Sequence, residues 1–125
     1  MPTLLEAHIV KLRERGDDVE VIEDGSRYLV VLRNYRLPDG RYQPQITNLM
    51  VMADYQYPMS RMDMFWTEPH VLLTTGGPPQ NADQFEVYAG RRWQRWSWHY
   101  PTWDPNRHSV LSHIEVCRAR LALGN

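Results

Sequence analysis

Arg92-Trp-Gln-Arg-Trp-Ser-Trp-His-Tyr-Pro-Thr-Trp-Asp-Pro-Asn106 holds four of the chain's five tryptophans, and all five lie after residue 65. Tryptophan is large, rigid and amphipathic, so each indole N–H needs a partner once buried. Crowded beside Ser97 and His99, these indoles form either an aromatic corner of a core or a surface built to meet something. The stretch then runs into a strong helical pattern. Asp104 reads as an N-cap and Pro105 suits a first helical position. Val110, Ile114, Cys117 and Leu121 recur at helical spacing, Leu111 widens the stripe, and Gly124 closes it. The spacing predicts a helix from about Asp104 to Leu121 whose apolar stripe packs on a sheet.

The sheet comes from the preceding residues. Thr3-Leu-Leu-Glu6 reads as a capping box, and Leu5, Ile9 and Leu12 share one helical face that Arg15-Gly16 ends. Val19 to Glu23 and Tyr28 to Arg33 flank Asp24-Gly25, a hairpin signal. Ile46 to Met52 is a third strand, apolar on both faces in its second half and therefore central. Met62 to Phe65, His70 to Leu73 and Phe85 to Tyr88 read as short extended pieces, and Thr74 to Asn81 as loop. The predicted order is helix, antiparallel meander, long irregular aromatic stretch, helix, in one domain spanning residues 1–125.

Composition narrows the function. A length of 125 residues suits one domain with a real core. A net charge of −1 argues against a general nucleic-acid binder. Thirteen arginines stand against a single lysine, Lys11, a bias that reads as genomic base composition. The lone Cys117 excludes an internal disulfide, and no zinc-ligand spacing exists. Both point to a reducing, cytoplasmic setting. Met1-Pro2-Thr3 leads straight into the first helix without a signal peptide, and no apolar run reaches membrane-spanning length.

Few residues offer chemistry. Ser97 and His99 are two apart, so an extended backbone would point both to one side, the minimum for an activated hydroxyl. The bland alternative is a serine bonded to backbone and a histidine packed among indoles. Cys117 lies in the apolar stripe and reads as a small buried hydrophobe. His108 and His113 are five apart, poor geometry for a shared metal, so no metal is expected. Asp63, Glu68, Asp83 and Glu86 form no acid–base pair by spacing. Gly76-Gly77-Pro78-Pro79 lacks the Lys-Ser/Thr of a phosphate loop, and no cofactor is expected. Arg91, Arg92 and Arg95 interleave with Trp93 and Trp96, which suits either single-stranded bases or cation–π packing within a sheet.

Three local patterns, in order, resemble the ubiquitin-conjugating (UBC) fold. Tyr57-Pro58 stands where that fold ends its third strand. Phe65-Trp-Thr-Glu-Pro-His-Val71 is similar to the strand and turn leading to its His-Pro-Asn motif. Trp103-Asp-Pro-Asn106, with Val110-Leu111 and Ile114, is similar to the Trp-Ser-Pro that caps its crossing helix. More narrowly, YPMSRMDMFW (57–66) with RWQRWSWHYPTWDP (92–105) resembles the prokaryotic ubiquitin-conjugating-like family E. The resemblance implies an α+β architecture: N-terminal helix, four-stranded antiparallel meander, irregular active-site flap and C-terminal crossing helix. It also implies partners: a ubiquitin-like protein, an activating enzyme and a deconjugating peptidase.

The departures shape the expectations. The eukaryotic pattern of that fold places a catalytic cysteine between the His-Pro-Asn and the Trp-Ser-Pro, yet Gly90 to Trp103 contains none. Glu68-Pro-His70 lacks the asparagine, and the two helices that usually follow the crossing helix have no counterpart. Two roles stay open within the resemblance. In a carrier, Ser97 holds the acyl group as an oxyester and His99 serves as base or oxyanion partner. In an adaptor, Trp93, Trp96, Trp98 and His70 meet the partner. Trp103 is expected in the core, with at least one of the other three flap indoles partly exposed. Outside the resemblance, the rival is an aromatic groove for a small molecule or single-stranded nucleic acid.

Overall fold

Helix α1 (Thr3–Glu14) and strands β1 (Asp18–Asp24), β2 (Arg27–Arg36), β3 (Tyr42–Gln43) and β4 (Ile46–Asp54) open the chain. Strands β5 (Phe65–Glu68), β6 (Leu72–Leu73), β7 (Gln84–Tyr88) and β8 (Arg91–Trp96) follow, and helix α2 (Val110–Leu123) closes it. The structure, a computed structural model, describes residues 1–99 and 102–125; Tyr100 and Pro101 of the expected flap fall outside them. The architecture is α+β, as the sequence predicts. Six strands make one antiparallel sheet in the order β1-β2-β4-β5-β8-β7, and β3 pairs with β6 apart from it.

Three expectations need correction. The sheet extends beyond the four expected strands to six, because Gln84–Tyr88 and Arg91–Trp96 form a regular hairpin that joins it beside β5, in place of the irregular flap expected from Gly90 onward. Helix α1 starts at Thr3 with Pro2 as its N-cap and no side-chain cap, so Thr3 and Glu6 form no capping box. Helix α2 starts later than Asp104. The Asp104 carboxylate accepts from Asn106 N–H at 2.9 Å, and its carbonyl accepts from the His108 N–H at 2.7 Å. Asp104 therefore closes a separate turn. The true cap is Ser109, which accepts from Leu111 N–H while Ser112 returns the favour to the Ser109 N–H. Sequence reasoning passed over it because a serine fills the place usually held by Glu or Gln. Gly124 ends the helix at φ 71°, as expected.

Strand alternation sorts the apolar side chains into two cores. Val30, Leu32, Leu49, Val51, Phe65 and Trp96 face the helices, where Leu5, Ile9 and Leu12 of α1 meet Val110, Ile114, Cys117 and Leu121 of α2. The predicted stripe is thus buried against the sheet. Leu29, Val31, Met50, Trp66 and Trp93 form a second cluster on the other face. That face is curled. The Arg91 guanidinium in β8 lies 3.4 Å from Glu20 in β1, four strands away. A flat sheet would hold those strands about 19 Å apart. The curl makes a concave face, which shelters the second core without any helix.

Two polar devices fix this frame. Buried Gln94 accepts from Thr67 Oγ1–H and the Val71 N–H, both at 2.7 Å, and donates to the carbonyls of Val71 and Ala82. Thr67 Oγ1 in turn accepts from the Trp96 indole at 2.9 Å. The Tyr57 hydroxyl accepts from the Val110 N–H at 2.7 Å and lies 2.8 Å from His8 Nδ1, joining the start of α2 to α1. Helix starts leave N–H groups without intrahelical partners, so this bond satisfies one of them.

Gln94→Leu keeps the volume and removes every bond. It strands one buried N–H, two carbonyls and a hydroxyl, each costing about 1–3 kcal/mol unless water enters. We expect a loss of about 3 kcal/mol or more in urea unfolding, larger than for Leu substitution of any exposed glutamine.

Candidate functional site

The aromatic stretch leaves β8 at Trp96 and immediately changes direction. The Trp98 N–H bonds the Trp96 carbonyl at 3.0 Å, a tight turn that breaks the alternation an extended strand would keep. Ser97 and His99 therefore part company. The Ser97 hydroxyl accepts from Arg95 Nε–H at 2.9 Å, and Arg95 pairs with Glu86 at 3.2 Å. Glu86 also accepts from the Trp66 indole at 2.8 Å, which ties this group to the concave face. His99 instead places Nδ1 2.6 Å from Asp63 Oδ2, beside α2. No hydrogen bond joins Ser97 to His99, so the serine lacks the base it needs.

His99 and Asp63 are the chemically suggestive pair. The imidazole is 62% exposed and the carboxylate 23%. A carboxylate that holds one ring nitrogen fixes the tautomer and leaves the other nitrogen to exchange protons. They are 36 residues apart, so no local spacing revealed them. A narrow cleft adjoins the pair, lined by Phe65, Trp98, His99, His113, Cys117 and Arg120. Its volume of about 30 Å³ suits a water rather than a substrate. Arg120 lies 3.8 Å above the Trp98 ring, and Trp98 donates to the Gln80 carbonyl.

Cys117 and His113 sit side by side without forming a nucleophile. The sulfur lies 3.9 Å from His113 Nε2. That nitrogen is 2.8 Å from the Met64 carbonyl, which can only accept, so Nε2 carries its proton there and cannot take one from the thiol. Burial pushes the Cys117 thiol far up and lowers the His113 imidazole. The sequence reading of Cys117 as a small buried hydrophobe fits this geometry.

The tryptophans divide. Trp93 and Trp96 are fully buried, so the expectation that they meet a partner is corrected: both are core. Their N–H groups reach the Tyr88 carbonyl and Thr67 Oγ1. Trp98 alone of the three keeps partial exposure, as required of at least one. Trp103 is half-buried against the helix-side core and donates to the Pro58 carbonyl at 2.8 Å. That bond joins the Tyr57-Pro58 and Trp103-Asp104-Pro105 motifs. His70 is exposed and turns its ring toward Phe85 of β7 rather than toward the indoles.

Other features add little chemistry. A larger cleft of about 440 Å³ lies between the α1–β1 turn, β2 and α2, but Arg118 pairs there with Asp17 and Arg33 with Asp18. Among the described residues no group of three His, Cys, Asp or Glu side chains could hold a metal. No helix among them is long and apolar enough to cross a membrane.

The family model described as Prokaryotic E2 family E matches residues 4–123. No curated protein and no solved structure matches the chain.

The buried imidazole carries a pH signature. His113 has its folded pKa lowered from 6.5, first by burial, against the opposing bond to Met64. An unfolded chain then binds the proton that the folded one resists. Stability is full above about pH 6.5 and falls as pH drops below it. His113→Gln can keep a donor for Met64 and loses the titration. Urea midpoints should decline less between pH 7 and 5 in this variant, the remaining slope including His8, whose pKa burial also lowers.

Proposed function

We infer the role of this chain from the family to which it belongs, prokaryotic E2 family E. Membership makes it an E2-like protein of a prokaryotic ubiquitin-like conjugation system, a class that interacts in general with ubiquitin-like proteins and activating enzymes. Within that system we propose an adaptor. It positions a ubiquitin-like protein for transfer and does not itself carry the acyl group. A deconjugating peptidase of the same pathway is a further proposed partner, and the cytoplasm is the proposed setting.

One observation carries the choice between adaptor and carrier: among the described residues, neither Cys117 nor Ser97 has a base placed to take its proton. Cys117 is 1% exposed and its thiol is held protonated by burial. Ser97 accepts from Arg95 on the concave side while His99 pairs with Asp63 near α2. A hydroxyl is a weak nucleophile until a base takes its proton.

The test mixes purified protein with the activating enzyme and ubiquitin-like protein of its own gene cluster, plus ATP. We expect noncovalent retention of the ubiquitin-like protein and no adduct by mass spectrometry, in wild type and Cys117→Ala alike. An adduct that survives thiol reductant, yields to hydroxylamine and disappears in Ser97→Ala would restore the carrier reading.

The His99–Asp63 pair favours a second, compatible reading. An exposed imidazole oriented by a carboxylate can accept a proton from an incoming amine whose acyl donor sits on the partner. His99→Ala should then slow conjugation by the complete pathway about 10²-fold, the low end for a general base, with binding of the ubiquitin-like protein unchanged. Equal rates would limit His99 to a structural role.

A further inference from the structure

The sheet ends at β7, and its register determines what that edge offers. Strands β7 and β8 pair Tyr88 with Arg91, Glu86 with Trp93 and Gln84 with Arg95, with Val87–Arg92 and Phe85–Gln94 between. The loop between them is Ala89-Gly90, with φ of 52° and 72°. Two residues of positive φ make the turn that matches strand twist in a hairpin. Such a loop is closed by a hydrogen-bonded pair, here Tyr88–Arg91, and bonded pairs alternate along an antiparallel ladder. The backbone groups of Glu86 and Gln84 therefore point to β8. Those of Phe85 and Val87 point outward, and among the described residues no backbone group meets them.

The side chains of these same two residues are exposed, Phe85 by 38% and Val87 by 69%. Both lie on the sheet face opposite Glu86, beyond the reach of the helices. Open edges invite another strand and are commonly blocked by proline, lysine, a bulge or a covering loop. Strand β7 has no proline, lysine or bulge. Arg92 lies on this face with its guanidinium 4.0 Å above the Phe85 ring, and no carboxylate pairs with it among the described residues. His70 borders the same ring.

We propose that the β7 edge is a docking site for an extended segment of a partner protein that adds a seventh strand and presents acidic side chains toward Arg92. Main-chain bonds to Phe85 and Val87 supply the attachment, and alternate side chains supply the selection. Residues opposite Phe85 and Val87 share their face, so an acidic group there reaches the guanidinium stacked on Phe85. The intervening residues turn to the other face, beside Tyr88, and are best apolar. A second copy of this chain is the weaker occupant. Antiparallel self-pairing through Phe85 and Val87 sets Glu86 directly opposite Glu86, and like charges in that position destabilise a sheet.

The probe is a short peptide of alternating valine and glutamate, compared with its valine–lysine counterpart, on the full chain. Binding of the glutamate peptide should slow amide exchange at Phe85 and Val87 and nowhere else in β7. Val87→Pro deletes one outward N–H and leaves the bonds to β8 intact, a position where edge strands accept proline. It should weaken binding about tenfold. Arg92→Glu tests selection independently of any backbone change, and should reverse the preference to the lysine peptide. Unchanged exchange at Phe85 and Val87, equal binding of both peptides by wild type, or retention of the preference in Arg92→Glu would each overturn the proposal. Protection of those amides by self-association without peptide, seen as concentration-dependent sedimentation, would overturn it in favour of a second copy. None of these measurements involves the activating enzyme or ubiquitin-like protein, so the outcome stands apart from the adaptor reading.

Discussion

The side-chain amide of Gln94 is the constraint on which the hairpin, the loop before it and the candidate site depend. Strand β8 joins the sheet through short β5, and the segment between β5 and β7 brings the backbone of Val71 and Ala82 into the core beside that junction. Gln94 donates to the Val71 and Ala82 carbonyls and accepts from the Val71 N–H, all inside the core. A buried polar group costs most when half satisfied, so such a network behaves as one unit. With Val71 and Ala82 held, the Thr67 hydroxyl is oriented to receive the Trp96 indole. Trp96 stacks on Phe65 at 5.0 Å, completing the helix-side core at the point where the chain turns.

That anchoring explains why the flap residues do not assemble a nucleophile and a base. Trp96 cannot shift without breaking the Thr67 bond, so the turn at Trp96–Trp98 has a fixed origin. Ser97, on its first step, points toward Arg95 and Glu86; His99, after the turn, meets Asp63. Meanwhile the Met64 N–H bonds the Trp98 carbonyl and the Met64 carbonyl faces His113. Residues 63–64 thus bind both the flap and α2, holding His99 at the surface while the thiol of Cys117 stays buried.

Local signals carried much of the architecture. The stripe on α2, the Asp24-Gly25 hairpin and the central, doubly apolar strand through Leu49, Met50 and Val51 all follow from periodicity and turn chemistry. What failed was nonlocal. Arg91–Trp96 reads as an aromatic flap because its arginines disguise the alternation; only pairing with β5 and β7 sets Trp93 and Trp96 on opposite faces. Asp104 looks like a cap since Asp-Pro commonly is one, but its carbonyl and carboxylate close a turn before Ser109. The Ser97–His99 expectation rested on an extended backbone, and a single turn between them removed its basis. The Asp63 partner of His99 has no sequence signature at all, since the contact depends on how β5 and the flap meet.

The arginine excess, which composition alone ascribes to genomic bias, has physical uses on the concave face. Arg91 lies 4.7 Å over Trp93 and grips Glu68 through two nitrogens while touching Glu20. Its hydrogen bonds hold the Glu68 carboxyl below its usual pKa. Arg27 lies over Tyr88 and pairs with Asp24. A planar guanidinium can stack on a ring and donate sideways to a carboxylate at once, which a lysine ammonium cannot do. This layer covers the second core where helices do not reach, with each charge neutralised in place. Arg92 shares the stacking but belongs to the opposite face. There Phe85 gives it a ring, and no carboxylate pairs with it among the described residues. The same chemistry that seals the concave face therefore leaves, at the edge of β7, one stacked guanidinium able to receive an acidic group from outside the chain.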